Sequence, residues 1–312
     1  MDADGPAIEA RSLSKRYGPV AAVDALSFAV PRGSVTGFLG PNGAGKTTTM
    51  RLMLGLASPT SGTATILGVP YAKLDEPLRR VGAALEITGF HPGRTAHDHL
   101  RITCLEGGLA EERADAVLAM TGMGGSANAK VRTFSFGMRQ RLALATALLG
   151  EPAVLILDEP ANGLDPAGVA WLRGFLRRYA SAGGAVLMSS HILAEVAEVA
   201  DRVVVIDRGR LVRQGSVAEL TAAAGERVIA RSPSVAALRT ALERAGAVVA
   251  EEPNGSLAIR NLSAERVGEV AAAEGLVLHE LRGETSSLED AFLALTGDVP
   301  PVPPARPDAE GP

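Results

Sequence analysis

Apolar and polar positions alternate over residues 7–13 and 25–30, and each stretch runs toward a turn signal, Gly18-Pro19 or Pro31-Arg32-Gly33. That pattern predicts two half-buried strands of an antiparallel β layer. Nearly unbroken apolar runs follow at 34–39, 153–157, 185–189 and 202–206, with helical segments at 167–180 and 193–200 among them. Strands without a polar face must be covered on both sides, so these runs predict an α/β fold with a mostly parallel sheet. From about 96 to 149 the period becomes helical; within 111–120, Ala114, Val117 and Leu118 recur at three and four residues, which predicts a helical insert.

Beyond Leu220 the texture changes. The segments 227–230, 234–245, 247–251, 257–260, 264–273 and 277–281 read strand, helix, strand, strand, helix, strand, the order of a small ferredoxin-like α+β unit, with 287–296 as a closing helix. The Pro-rich tail 298–312 has almost nothing to bury and is expected to be disordered.

The apolar run 34–39 leads directly into Gly40-Pro41-Asn42-Gly43-Ala44-Gly45-Lys46-Thr47, a complete G-x-x-x-x-G-K-[ST] loop, and 48–54 continues as a helix. A polyphosphate needs many donors in a small space, and glycines let consecutive backbone N–H groups curl toward it. Lys46 adds a point charge that reaches the β and γ phosphates, the Thr47 hydroxyl suits a Mg²⁺ ligand, and the helix beginning near Thr48 turns its positive end to the same anion. The loop predicts a nucleoside triphosphate binder. A second feature supports it: the run 153–157 ends in Asp158-Glu159-Pro160, at the strand end where α/β sheets bind ligands. Asp158 is suited to hold Mg²⁺ directly or through water, and Glu159 to polarise a water for attack on the γ phosphate. Further upstream, Ser135 and Gly137 open a long helix and so offer a hydroxyl, backbone donors and a helix N-terminus to an anion.

At 312 residues with 46% hydrophobic content, the chain is long enough for one large domain and one small one. A net charge of -4 gives no global reason to expect a nucleic-acid partner. The single cysteine, Cys104, forms no internal disulfide, which fits a reducing compartment. No apolar leader opens the chain, and its most apolar stretch, 142–157, is broken by Glu151-Pro152, so the protein is expected neither to enter nor to cross a membrane by itself. His91, His97 and His99 form no metal-ligand pattern with a matching partner and read as loop or helix-surface residues.

Together, the serine-glycine helix start at Thr133-Phe134-Ser135-Phe136-Gly137-Met138-Arg139-Gln140 and the Asp158-Glu159 strand resemble the signature and Walker B motifs of ATP-binding cassette (ABC) ATPases. The resemblance covers about 8–220 and implies a P-loop cassette with a mostly parallel sheet, an antiparallel β layer and a helical subdomain. It implies domains at 7–222, with the helical subdomain at about 90–150, and at 223–297. By this resemblance ATP and Mg²⁺ are the cofactors and two ATP molecules are sandwiched in a head-to-tail homodimer. Ser135 and Gly137 then contact the γ phosphate held by the partner, with Phe136, Met138 and Gln140 in the same interface motif. Asp165 matches the loop that crosses the dimer, His191 the switch histidine beside the catalytic Glu159, and Tyr17 an aromatic that stacks on adenine. Read from the residues alone, Tyr17 is also a hairpin residue, Asp165 a helix cap before Pro166, and His191 a cap for a helix beginning at Ile192.

Two positions depart from the family pattern. Phe136 stands where the signature usually carries glycine, and Glu86 replaces the family's usual glutamine. Its carboxylate is able to approach Mg²⁺ or the attacking water and, read from the residues alone, is also a plain strand-end acid. With the C-terminal extension, these features resemble the ATPase subunits of ABC-2-type exporters of the bacitracin and daunorubicin group. The implied protein is an ATP-hydrolysing subunit on the cytoplasmic face of the cell membrane that powers a separate permease for antibiotic, drug or lipid-like substrates, docked near 86–100. The alternatives are a soluble cassette acting on ribosomes or DNA, disfavoured by a single phosphate loop and the absence of a long coil, and an importer ATPase sharing every catalytic residue.

Overall fold

The computed structural model of the chain describes residues 5–85, 89–223, 226–252, 254–285, 287–289 and 291–292. Glu86, the tail 298–312, and residue 290 with 293–296 of the closing helix lie outside the described residues. The chain divides into two compact units, Met1–Val217 and Ala218–Pro312.

In chain order the first unit holds β1 (Ile8–Tyr17), β2 (Val20–Val30), β3 (Val35–Leu39), α1 (Lys46–Met53), β4 (Ser61–Ile66), α2 (Pro77–Arg80), β5 (Val81–Ala84), α3 (Ala96–Glu106), α4 (Arg113–Met120), α5 (Phe136–Leu148), β6 (Val154–Leu157), α6 (Pro166–Ser181), β7 (Ala185–Ser190), α7 (Leu193–Val199), β8 (Arg202–Asp207) and β9 (Arg210–Ser216). Six strands form one sheet in the order β5-β6-β7-β3-β8-β9. All neighbours are parallel except β8 and β9. Every residue of β3, β6 and β7 is buried, which is why these strands read as continuous apolar runs rather than alternating ones.

A second sheet, β2-β1-β4, is antiparallel throughout. Its inward side chains Ile8, Leu26 and Phe28 share a core with Phe38 of β3 and with Met50 and Met53 of α1. Phe28 stacks on Phe38 at 5.2 Å between ring centroids. Phe38 is fully buried, so truncation to alanine removes about 3–5 kcal/mol. A second core joins the helical insert to the sheet through Leu100, Cys104, Val117, Leu118, Leu142, Leu144, Leu155 and Leu157. The N-terminal strands are longer than 7–13 and 25–30, because bulged register shifts let polar residues continue the pairing down to Tyr17 and Val20.

After α8 (Val217–Ala223), the second unit runs β10 (Glu226–Arg231), α9 (Val235–Arg244), β11 (Val248–Glu251), β12 (Leu257–Arg260), α10 (Ala264–Ala273) and β13 (Glu280–Thr285). Its sheet has the order β11-β12-β10-β13 with antiparallel neighbours throughout, the ferredoxin-like arrangement. Leu238 and Leu242 of α9 and Val267 and Ala271 of α10 cover Val228, Ala230, Leu257 and Ile259. The last strand corrects the expected 277–281. Leu276 and Leu278 pack against this core as a connector, and the segment that pairs with β10 is the charged 280–285, which carries no apolar signal. Leu288 and Ala291 of the closing segment are helical and buried.

Candidate nucleotide site

Strand order, not sequence order, assembles the site. β3 lies between β7 and β8, and β6 lies on the other side of β7, so the C-terminal ends of β3, β7 and β6 are neighbours although they are up to about 150 residues apart in the chain. The loop 40–47 leaves β3, Asp158 and Glu159 leave β6, and His191 leaves β7. A cleft of about 290 Å³ opens there, lined by residues 41–48 with Ala22, Asp158 and Glu159.

Gly45 shows why the loop needs glycine. Its φ is +103°, and a methyl group placed on it would overlap the carbonyl oxygen of Ala22. The helix α1 starts on Gly45 with no side-chain cap and no acidic residue in its first turn, so its leading N–H groups are left for an anion. Lys46 is 8% exposed, and its Nζ donates to the carbonyls of Gly40 at 2.6 Å and Pro41 at 3.3 Å. Burial pulls the ammonium below its ordinary range, while the nearby charges of Glu159 and Asp158 oppose that shift.

The Thr47 hydroxyl donates to Asp158 Oδ2 at 2.6 Å. The other oxygen of Asp158 accepts from the hydroxyl of Ser189, the penultimate residue of β7. The same Ser189 Oγ accepts the backbone N–H of Glu159 at 2.9 Å. That bond matters because Glu159 holds a left-handed φ of +48°, unusual for a residue with a long side chain. Two further contacts fix the bend: Asn162 N–H donates to the Glu159 carbonyl at 3.1 Å, and Gln140 Nε2 donates to it at 3.4 Å. So held, the Glu159 carboxylate reaches His191, whose Nδ1 lies 2.8 Å and backbone N 3.3 Å from Oε2. With Glu159 ionised, Nδ1 carries the proton and donates it to that bond. His191 does not cap the next helix: α7 begins at Leu193, with Ile192 at its cap position.

The remaining sequence-predicted residues lie away from the cleft lining. Ser135 caps α5 by accepting from Met138 N–H at 3.2 Å, and Phe136 beside it is 54% exposed. Gln140 is instead buried beneath the backbone of Glu159. Asp165 caps α6 by accepting from Gly168 N–H at 3.1 Å and also meets Arg141 at 3.0 Å. The Gly168 bond first, then Arg141, holds its carboxyl below the ordinary range. Tyr17, at the end of β1, is 52% exposed, with the Lys15 ammonium 5.0 Å from its ring centroid. Sequence reasoning missed Ser189, whose small hydroxyl at the end of an apolar strand was the available signal.

A phosphate loop between a parallel strand and an uncapped helix, facing paired carboxylates at the end of β6, defines a P-loop nucleotide-binding cassette. Comparison with known proteins narrows this. Residues 23–162 match the family described as "ABC transporter", and residues 226–289 match a domain of unknown function, DUF8746. The chain is 39% identical to the bacitracin transport ATP-binding protein BcrA of Enterococcus faecalis, over 68% of this chain and 70% of that one. It is 34% identical to the daunorubicin/doxorubicin resistance ATP-binding protein DrrA of Streptomyces peucetius, over 93% and 92% of the two chains. A solved ATP-binding subunit of an ABC transporter superposes with a TM-score of 0.64 at 30% identity, covering 70% of this chain and 93% of its own. The chain belongs to the family of ABC transporter ATP-binding proteins. It binds ATP and is an ATPase.

Proposed function

We propose that this chain is the ATP-hydrolysing subunit of an exporter, that it works as a homodimer with two ATP molecules between its copies, and that it drives a separate ABC-2-type permease from the cytoplasmic face of the membrane. The observation that carries the catalytic part is the Glu159–His191 pair at 2.8 Å, one residue beyond an Asp158 already bonded to the phosphate-loop Thr47. Among the described residues no helix is long and apolar enough to cross a membrane, and the relatives named as transport ATP-binding proteins support a separate membrane partner. The relatives' names, for transport of bacitracin and resistance to daunorubicin and doxorubicin, support antibiotic or drug cargo.

The residues fit Mg²⁺. A hydroxyl and a carboxylate oxygen lie 2.6 Å apart beside the phosphate cradle, the hard donor set that a small divalent ion prefers. Held by Thr47 and Asp158, with Glu86 as a further candidate, Mg²⁺ would neutralise charge on the phosphates as the terminal bond breaks. The protein's own part is positioning and proton handling. Backbone N–H groups of the loop and Lys46 hold the β and γ phosphates of the substrate. Pro41, Asn42, Gly43, Ala44 and Thr48 complete that cradle, and Tyr17 offers its exposed ring to adenine. Glu159 accepts the proton of the attacking water, and His191 holds the carboxylate in place. In the dimer, Ser135 and Gly137 bring a capped helix start to the partner's γ phosphate, with Asp165 nearby. Loss of that phosphate removes contacts from both copies and shifts the pair toward the open state.

The test is Glu159→Gln. It keeps size and hydrogen bonding but removes the base, so ATP binding and an ATP-dependent dimer persist while turnover falls by about 100-fold or more. Turnover equal to the unaltered protein would remove Glu159 from the mechanism. Co-purification with a six-helix type of membrane protein, rather than with ribosomes, separates transport from the soluble alternative.

A further inference from the structure

Phe136 is the signature residue that departs from the family's usual glycine, and its ring has a defined seat. A methyl group built on Gly163 would overlap Cδ1 of Phe136 and lie 2.6 Å from Cε1 and 3.2 Å from Cγ. The Cδ1–Cε1 edge of the ring therefore lies against the one backbone position in the 159–165 loop that lacks a side chain and has a φ of +73°. Next to it, a methyl group on Gly137 would come within 2.5 Å of the Gly163 carbonyl oxygen. One turn along α5, Gln140 donates to the carbonyl of Glu159 and Arg141 pairs with Asp165. The N-terminal turns of α5 thus grip the loop that starts at Glu159 at its beginning, middle and end.

We propose that Phe136 is a positioning residue for hydrolysis: seated on Gly163, it locks the Glu159–Asp165 loop to the Ser135 helix start. Engagement of Ser135 with the partner's nucleotide is then passed to Glu159 within the same chain. The inference rests on the dimer proposed above. It gives a bulky side chain at this position a task that glycine cannot perform, since glycine leaves the Gly163 seat empty. Phe136 does not line the cleft of its own chain, so its effect there is on the placement of Glu159 and not on the ATP which that chain holds.

The experiment is a double-substitution cycle with Phe136→Ala and Gly163→Ala, read by steady-state ATPase kinetics and by ATP-dependent dimerisation. Phe136→Ala lowers kcat by about tenfold with the KM for ATP unchanged, since a displaced catalytic group costs rate and not binding. Phe136→Leu, which refills the seat, restores most of that loss. Gly163→Ala alone lowers kcat by about 100-fold, whereas in the Phe136→Ala background the collision with the ring is gone, only the left-handed backbone strain remains, and the cost is about tenfold. Additive losses, or a rise in KM without a fall in kcat, would overturn the positioning role. If the unaltered protein fails to dimerise with ATP, the sandwich reading itself fails. If it dimerises and turns over while the cycle is additive, only the Phe136 proposal falls.

Discussion

Ser189→Ala tests the geometry of the site through a residue that does not itself line the cleft but holds two residues that do. Ser189 is fully buried, and one hydroxyl does two jobs: it donates to Asp158 and accepts from the strained backbone N–H of Glu159. Alanine removes a hydrogen bond to a carboxylate, worth about 1.5–3 kcal/mol, and leaves a backbone N–H unpaired at about 1–3 kcal/mol. Because the two share one atom and Asp158 keeps Thr47, the combined loss is about 2–4 kcal/mol rather than the full sum. For a unit of this size that lowers the melting temperature of the nucleotide-free protein by roughly 5–15 °C. Glu159 also loses one of the three contacts that fix its left-handed backbone, so kcat falls by about 100-fold, as for an ångström-scale misplacement of a catalytic group. The KM for ATP stays near its starting value, since Ser189 is not among the residues lining the cleft. Differential scanning calorimetry and steady-state ATPase kinetics read the two effects. A variant with unchanged melting temperature and unchanged kcat would refute the claim that Ser189 organises both carboxylates.

Two further outcomes follow from single side chains. Lys46→Ala removes a buried ammonium aimed at the phosphate cradle and weakens ATP binding by about 10–100-fold in isothermal titration, and undiminished affinity would contradict the loop assignment. His99 gives a pH signature: burial, then the charge of Arg94, lowers its pKa below the ordinary 6.5, with Glu106 opposing. The unfolded chain therefore binds the proton more readily than the folded one. Stability present above pH 6.5 is lost as the pH falls from that value through the lower folded-state value. Urea unfolding between pH 5 and 7.5 shows this slope, and His99→Gln flattens it; identical slopes in the two proteins would contradict the assignment.

The sequence made most of this arrangement legible where one physical cause dominated. β3, β6 and β7 are buried on both faces, so their apolar runs announced them. The strands β4 and β9 were not legible. Their residues are mostly polar and partly exposed, and pairing with β1 and β8 defines them rather than their own composition. β13 failed in the same way, since Glu280, Arg282 and Glu284 on one face carry charges where a strand signal needs apolar residues. At the site, the loop 40–47 and the Asp158-Glu159 pair were readable because contiguous residues carry their chemistry. Ser189 and the Phe136–Gly163 contact were not, because strand order and the folded path of 159–165 bring them to their partners.

In the function proposed above, two copies of the chain close on ATP with Ser135 of each reaching the nucleotide of the other. A structure of the Glu159→Gln protein with Mg²⁺ and ATP tests this directly. It should show two nucleotides between two copies, each γ phosphate within hydrogen-bond distance of both Lys46 and the partner subunit's Ser135. Nucleotide held by a single copy, with Ser135 open to solvent, would contradict the account.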